Sequence, residues 1–267
     1  HAQNIQSYNS NGFTLGSETN MNYNSGSDIV AWNWKGGGSA SSNGDGSLTS
    51  SVSANTTAGF SIVSWTSTGT TGSTIGHGLG VKPDVIILKS RNTSDVQPWR
   101  VYHYDLGATK SIMLDSTSAA LTQTGVWNDT EPTSSVFTVG SFGSTNENTK
   151  NYIAYCLSGV AGYSKFGSFS GNADADGTFV YTGFKRTDGD ENWWLYDNKR
   201  DPDNPMTQIL YGDLPNAEID ATGNNVSNDF LSNGVKFITD NANWNGDGMT
   251  YVYLAFAESP FKNSRAR

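Results

Sequence analysis

SNGVKFITDNANWNGDGMTYVYLAF, residues 232–256, reads as a short apolar strand, a polar Asn/Gly loop and an aromatic-rich strand. The same order occurs twice more, in SNGFTLGSETNMNYNSGSDIVAWNW (10–34) and in SVFTVGSFGSTNENTKNYIAYC (135–156). SNG opens both the first and the last copy, and Phe13 precedes Val30 by the same number of positions as Val235 precedes Val252. Self-similarity of this kind marks an internal repeat, and each copy is expected to be a β-hairpin with a long tip.

The remainder of the unit aligns around these hairpins. LKSRNTSDVQPWRVYH in one copy answers to FKRTDGDENWWLYD in the other, placing Trp99 opposite Trp193. Such matching positions suggest a structural role for both tryptophans. The second copy has nothing like KPDVIIL and is expected to lack one strand. These alignments divide the chain into the terminal hairpin of a preceding unit (1–35), a flexible Gly/Ser linker (36–50), a first β-sandwich unit (51–169) and a second (170–267). A lone hairpin cannot bury both faces, so the first segment is expected to pack on the first unit or on a neighbouring chain. His1 is not an initiator residue, and the numbering is expected to begin inside a longer chain.

Composition agrees with strands. Charged residues make up 15% of the 267 and aromatics 12%, with 30 glycines. Gly/Asn/Asp turns joining short aromatic and β-branched runs fit antiparallel sheets better than helices. The fold expected is all-β: tandem antiparallel β-sandwich units, jelly-roll or lectin-like, preceded by an orphan β-hairpin. A net charge of −9 gives no basic cluster for nucleic acid and no polybasic face for an anionic membrane. No apolar run is long enough for a spanning helix, so neither nucleic acid nor membrane insertion is expected.

Chemistry-bearing residues are few. The one cysteine, Cys156, lies in an alternating run and reads as a small core hydrophobe. His77, in the glycine-rich IGHGLG, reads as a turn cap, and no G-x-S-x-G elbow accompanies it or His103. Glycan cleavage would need paired carboxylates, for which Asp188, Asp190 and Glu191 are the candidates; a polar hairpin turn is the preferred reading of them. NADADG offers Asn172, Asp174 and Asp176 as alternating oxygens for a loose Ca²⁺ site, although Gly183 stands where an EF-hand places a bidentate Glu. No other cofactor is expected. Sugar binding couples an aromatic face to Asn/Asp side chains. The loop residues Trp127, Asn128 and Asp129, and Trp244, Asn245 and Asp247, are the candidates for it.

The stretches SSVSANTTAGFSIVSWTSTGTTGSTIGHGLGVKPDVIILKSRN, WRVYH, NYIAYCLSGVAGYSKFGSFSGN, GTFVYTGF and YVYLAFAESPFK resemble a domain of unknown function common in marine bacteriophage and cyanophage virion proteins, tail fibre or structural. The resemblance runs from about Gly12 to Lys262. Members commonly follow YTGF with a KPAFVLIKR-like strand, whereas Phe184 here runs directly into Lys185 and Arg186. The resemblance implies a non-enzymatic module on the virion surface, mediating attachment to host glycan or surface protein. Its partners would be other virion proteins and further copies of itself, as a trimer. A capsid decoration or head-fibre protein is the alternative, and a glycan depolymerase a third reading.

Overall fold

Strands alternating between two buried faces dominate the chain, as expected for an all-β fold. The computed structural model describes residues 4–17, 29–92, 95–180, 184–223, 225–232 and 234–257. It divides into two units, His1–Trp34 and Lys35–Arg267.

In the first unit, β1 (Ile5–Asn9) and β2 (Gly12–Leu15) pair antiparallel around a two-residue turn closed by Asn9 and Gly12. The hairpin expected over 10–34 is therefore replaced: Gly12–Leu15 pairs with the residues before it. Residues 29–34 form no strand, and Trp32 and Trp34 are exposed. In the later copies the corresponding strand is central and bonded on both sides; among the described residues of this unit no such neighbours flank residues 29–34. The tip of the expected hairpin, 18–28, lies outside the described residues.

In the second unit the strands are β3 (Ser41–Asn43), β4 (Ser50–Asn55), β5 (Phe60–Thr66), β6 (Ser73–Gly76), β7 (Val85–Ser90), β8 (Arg100–His103), β9 (Lys110–Met113) and β10 (Leu121–Thr122). A single turn α1 (Thr124–Trp127), β11 (Val136–Val139), a second turn α2 (Gly143–Asn146) and β12 (Asn151–Leu157) complete the first repeat. The second repeat holds β13 (Ser164–Ser170), β14 (Phe179–Val180), β15 (Phe184–Arg186), β16 (Trp193–Leu195), β17 (Gln208–Tyr211), β18 (Ile219–Asp220), β19 (Ser227–Leu231), β20 (Gly234–Ile238), α3 (Ala242–Asn245) and β21 (Thr250–Phe256).

The duplication is visible in the sheet order. The first large sheet runs β10-β9-β8-β7-β12-β5-β4-β3 and the second β18-β17-β16-β15-β21-β13. Each large sheet is covered by a small one, β11-β6 in the first repeat and β14-β20-β19 in the second. The hairpins expected over 135–156 and 232–256 therefore do not form: β11 and β12, like β20 and β21, cross from the small sheet to the large one, because each strand finds its partners elsewhere in the chain. Register superposes the repeats: Tyr152 lies opposite Trp65, as Tyr251 lies opposite Phe169.

Three differences from the sequence reading follow. The strand thought missing from the second repeat is β15, short but in the place of β7, between β21 and β16. The boundary expected at 169/170 falls inside β13, which pairs along its length with β21. The Gly/Ser run 36–50 is not a free linker. Ser42 pairs with Ser51, Leu48 bridges Ile75, and the Leu48 N–H donates to the Thr74 carbonyl at 3.0 Å. Glycines are required here by close approach: a Cβ on Gly37 would stand 1.9 Å from the Ala54 carbonyl oxygen, and one on Gly46 2.3 Å from that of Thr74.

Packing explains why the central strands read as continuous apolar runs. Val63, Trp65, Ile86, Leu88, Tyr102, Tyr152, Ala154 and Cys156 face the small sheet of the first repeat. Their neighbours Phe60, Val85, Val101 and Leu157 face the other way, into a cluster shared with Phe166, Trp193 and Val252 of the second repeat. The two sandwiches thus meet through their large sheets. Trp193 ties the halves further, donating from Nε1 to the Met113 carbonyl at 2.8 Å. Trp99 stacks on Tyr155, so both matched tryptophans serve the fold.

Candidate functional site

The two tryptophan loops were the sequence-based candidates for sugar contact, and both tryptophans turn inward. Trp127 closes α1 at 2% exposure, edge-on to Tyr102. Trp244 in α3 is 6% exposed, packs on Trp194 and donates from Nε1 to the Tyr196 hydroxyl at 2.7 Å. Neither presents a ring to solvent. A large apolar ring in a short loop gains more by folding onto its own core than by facing water. Asn128 and Asp129 stand beside Trp127 with positive φ, Asp129 and Asp247 being exposed.

Asn245 is fully buried. Its Nδ2 approaches the Asn172 side-chain oxygen (2.7 Å) and the carbonyls of Asp174 (3.0 Å) and Thr239 (2.9 Å). Asn146 does the same in the first repeat, donating to the Thr70 and Gly140 carbonyls at 2.8 and 2.7 Å. Tyr152 and Tyr251 clamp the same turns, donating to the carbonyls of Gly143 and Ala242. This asparagine–tyrosine pair is the internal fastening of each repeat. The polar loop reads as exposed in sequence because one of the carbonyls that its asparagine bonds, that of Thr70 or of Asp174, is remote in the chain.

The suspected calcium loop is organised by the same asparagine. Asn172 Oδ1 accepts from Asp174 N–H (3.2 Å) and from Asn245, Asp174 Oδ1 accepts from Asp176 N–H (2.9 Å), and Asp176 pairs with Lys236. N–H donors thus meet the oxygens that would face a cation.

Of the three acids considered for glycan cleavage, two hold backbone through their carboxylates and the third is held by its own backbone. Asp188 accepts from Thr250 N–H at 3.0 Å, Asp190 from Ala119 N–H at 2.9 Å, and Glu191 N–H donates to the Thr117 carbonyl at 2.8 Å. The last two contacts link the repeats. His77 is buried as a turn cap: Nδ1 accepts from Leu79 N–H and Nε2 faces the Thr133 carbonyl, with burial lowering its pKa. Burial holds His103 down to about 4 and pushes the Cys156 thiol up to about 12. Ala255 takes the position of Cys156 in the second repeat, which marks the thiol as packing.

What stays open is a groove of about 370 Å³ at one end of the first large sheet. It lies where β3, β4, β5 and β12 run side by side. Register places Ser42, Ser51, Ser64 and Ile153 in one row across the sheet. Thr66 and Asn151 form the next, with Arg91 bonded beyond them through its N–H to the Asn151 carbonyl at 2.7 Å. Thr66 Oγ1 donates to Asn151 Oδ1 at 2.8 Å, which turns the Asn151 amide donors away from Thr66. Trp65 also lines the groove; it is 4% exposed and its indole Nε1 has no acceptor among the described residues. Sequence reasoning missed this site, because its members are serines and threonines scattered over three strands. The alternation of FSIVSWT, which puts Ser64 and Thr66 on one face, was the available signal.

The molecule is a duplicated all-β sandwich with a hydroxyl-lined groove on one repeat. It belongs to the family described as Domain of unknown function (DUF7483), whose sequence profile matches residues 1–260. No curated protein and no solved structure matches the chain.

Proposed function

We propose that the chain is a non-enzymatic attachment module of a bacteriophage virion fibre, carried on the particle surface and holding host glycan in the groove at Ser51, Ser64, Thr66, Arg91 and Asn151. The observation that carries this reading is the division of labour among the polar residues. Asp188, Asp190 and His77 are engaged in holding turns and backbone, while the groove gathers hydroxyl, amide and guanidinium groups in the open. Hydroxyls, an amide and a cation beside an aromatic core suit sugar hydroxyls and need no reaction. The sequence resemblance to phage virion proteins supplies the setting, with other virion proteins and further copies of the chain as partners.

Immunogold labelling of intact particles, with adsorption measured in the presence of the soluble chain, tests it. Gold at fibre tips and competition for adsorption are expected. Gold spread over the capsid without competition would move the chain to a decoration role, and release of reducing ends from host polysaccharide would make it an enzyme.

A further inference from the structure

The groove lies on the first repeat, and the comparison of matching positions among the described residues shows what was built there. The strand registers superpose, so Thr66 answers to Ser170, Asn151 to Thr250 and Ser64 to Ser168. Thr187 N–H donates to the Thr250 carbonyl as Arg91 N–H does to that of Asn151. Thr187 is buried, whereas Arg91 is exposed. The second repeat also has no counterpart of the β4–β3 wall among the described residues, since β13 ends its sheet. One scaffold therefore carries an arginine, an amide and a wall of serines where its duplicate carries threonines and an open edge.

Resting on the attachment reading, we propose that the groove selects a carboxylate-bearing saccharide, a uronate or similar acidic sugar, with Arg91 taking the carboxylate. Arg91 has no carboxylate within ion-pair distance among the described residues. Its planar fork suits the two oxygens of a carboxylate. The hydroxyls of Ser42, Ser51 and Ser64 have no hydrogen-bond partner among the described residues and offer donors and acceptors to ring hydroxyls. Asp95 lines an adjoining cleft with Arg91, so the ligand's carboxylate approaches Arg91 from the serine side. In a chain of net charge −9, long-range attraction contributes nothing to acidic ligands, and selection rests on this contact.

The test titrates the whole chain with a galacturonate tetramer and with cellotetraose, by calorimetry and by amide NMR shifts. The uronate is expected to bind, to shift Thr66, Arg91 and Asn151, and to weaken as salt rises. R91Q should lose about tenfold or more in affinity, with R91K intermediate and the thermal midpoint of both unchanged. N151A should weaken both saccharides. Equal binding of the neutral tetramer, unaltered by R91Q, would overturn the carboxylate assignment while leaving the groove a sugar site. Tighter binding of a sulfated oligomer free of uronate would overturn it too. Binding to host cells that R91Q and excess uronate leave unchanged would overturn the inference but spare the attachment reading. No binding to cells at all would overturn both.

Discussion

Two asparagines do the work that a bound ion or a longer helix does in other loops. Asn146 and Asn245 each sit shortly ahead of a tyrosine that clamps the same turn, and each ties a nearby carbonyl to one from a distant segment. Replacing Asn245 with Ala leaves the buried Thr239 carbonyl without its donor, at about 1–3 kcal/mol in the least relaxed case, and unties the Asp174 carbonyl. N245A is therefore expected to lower the urea midpoint clearly and to expose the 172–176 loop to protease, whereas D247A, at a surface position, should do neither. His103 gives the fold a pH dependence. Its folded pKa of about 4 lies below the ordinary 6.5, because burial disfavours the charged ring. The unfolded chain then binds the extra proton first. Stability is full above about pH 6.5, falls as pH drops through the window and levels off below about 4, for a total of about 3 kcal/mol. H103N should flatten that limb of a stability–pH curve measured by urea denaturation. An unchanged slope would assign the acid sensitivity elsewhere.

At the level of elements, the sequence was most legible where alternation and repetition coincide. The strands within 135–156 and 232–256 follow from period-two patterning and the matched positions of Trp99 and Trp193 from the repeat, but not the pairing: each expected hairpin is split, one strand in the small sheet and the other in the large one. Three features did not follow, for one shared reason. The pairing of 36–50 with β4, the short β15 in the place of β7, and the inward turn of Trp127 and Trp244 depend on partners far along the chain, and local composition carries no record of them. Gly and Ser run together in free linkers and also where a backbone must lie close against a sheet; 36–50 is the second case. Limited proteolysis checks this: the 36–50 run should survive as long as β5 does. G37A, which drives a Cβ into the Ala54 carbonyl, should open it to cleavage and cost about 1–3 kcal/mol.

For the whole second unit, the shared cluster between the large sheets makes the repeats interdependent. Phe166, Trp193 and Val252 from one repeat lie against Phe60, Val85 and Leu157 from the other. Neither large sheet is covered on that face without its partner. W193A removes the largest of these side chains and the bond to Met113, and is expected to cost about 3–5 kcal/mol. The loss should appear equally in probes placed in either repeat, as one coincident unfolding transition. A first repeat that melts apart from the second would show the cluster to be a loose contact between independent bodies.

The lone thiol of Cys156 lies on the central strand of the first large sheet, fully covered and bonded on both sides by β5 and β7. It is a built-in clock. A thiol reagent in solution can reach it only when that strand leaves the sheet, so the rate of labelling in native buffer counts openings of the core directly. Fragments, variants and ligand-loaded forms can be ranked by that rate without denaturant and without adding a label.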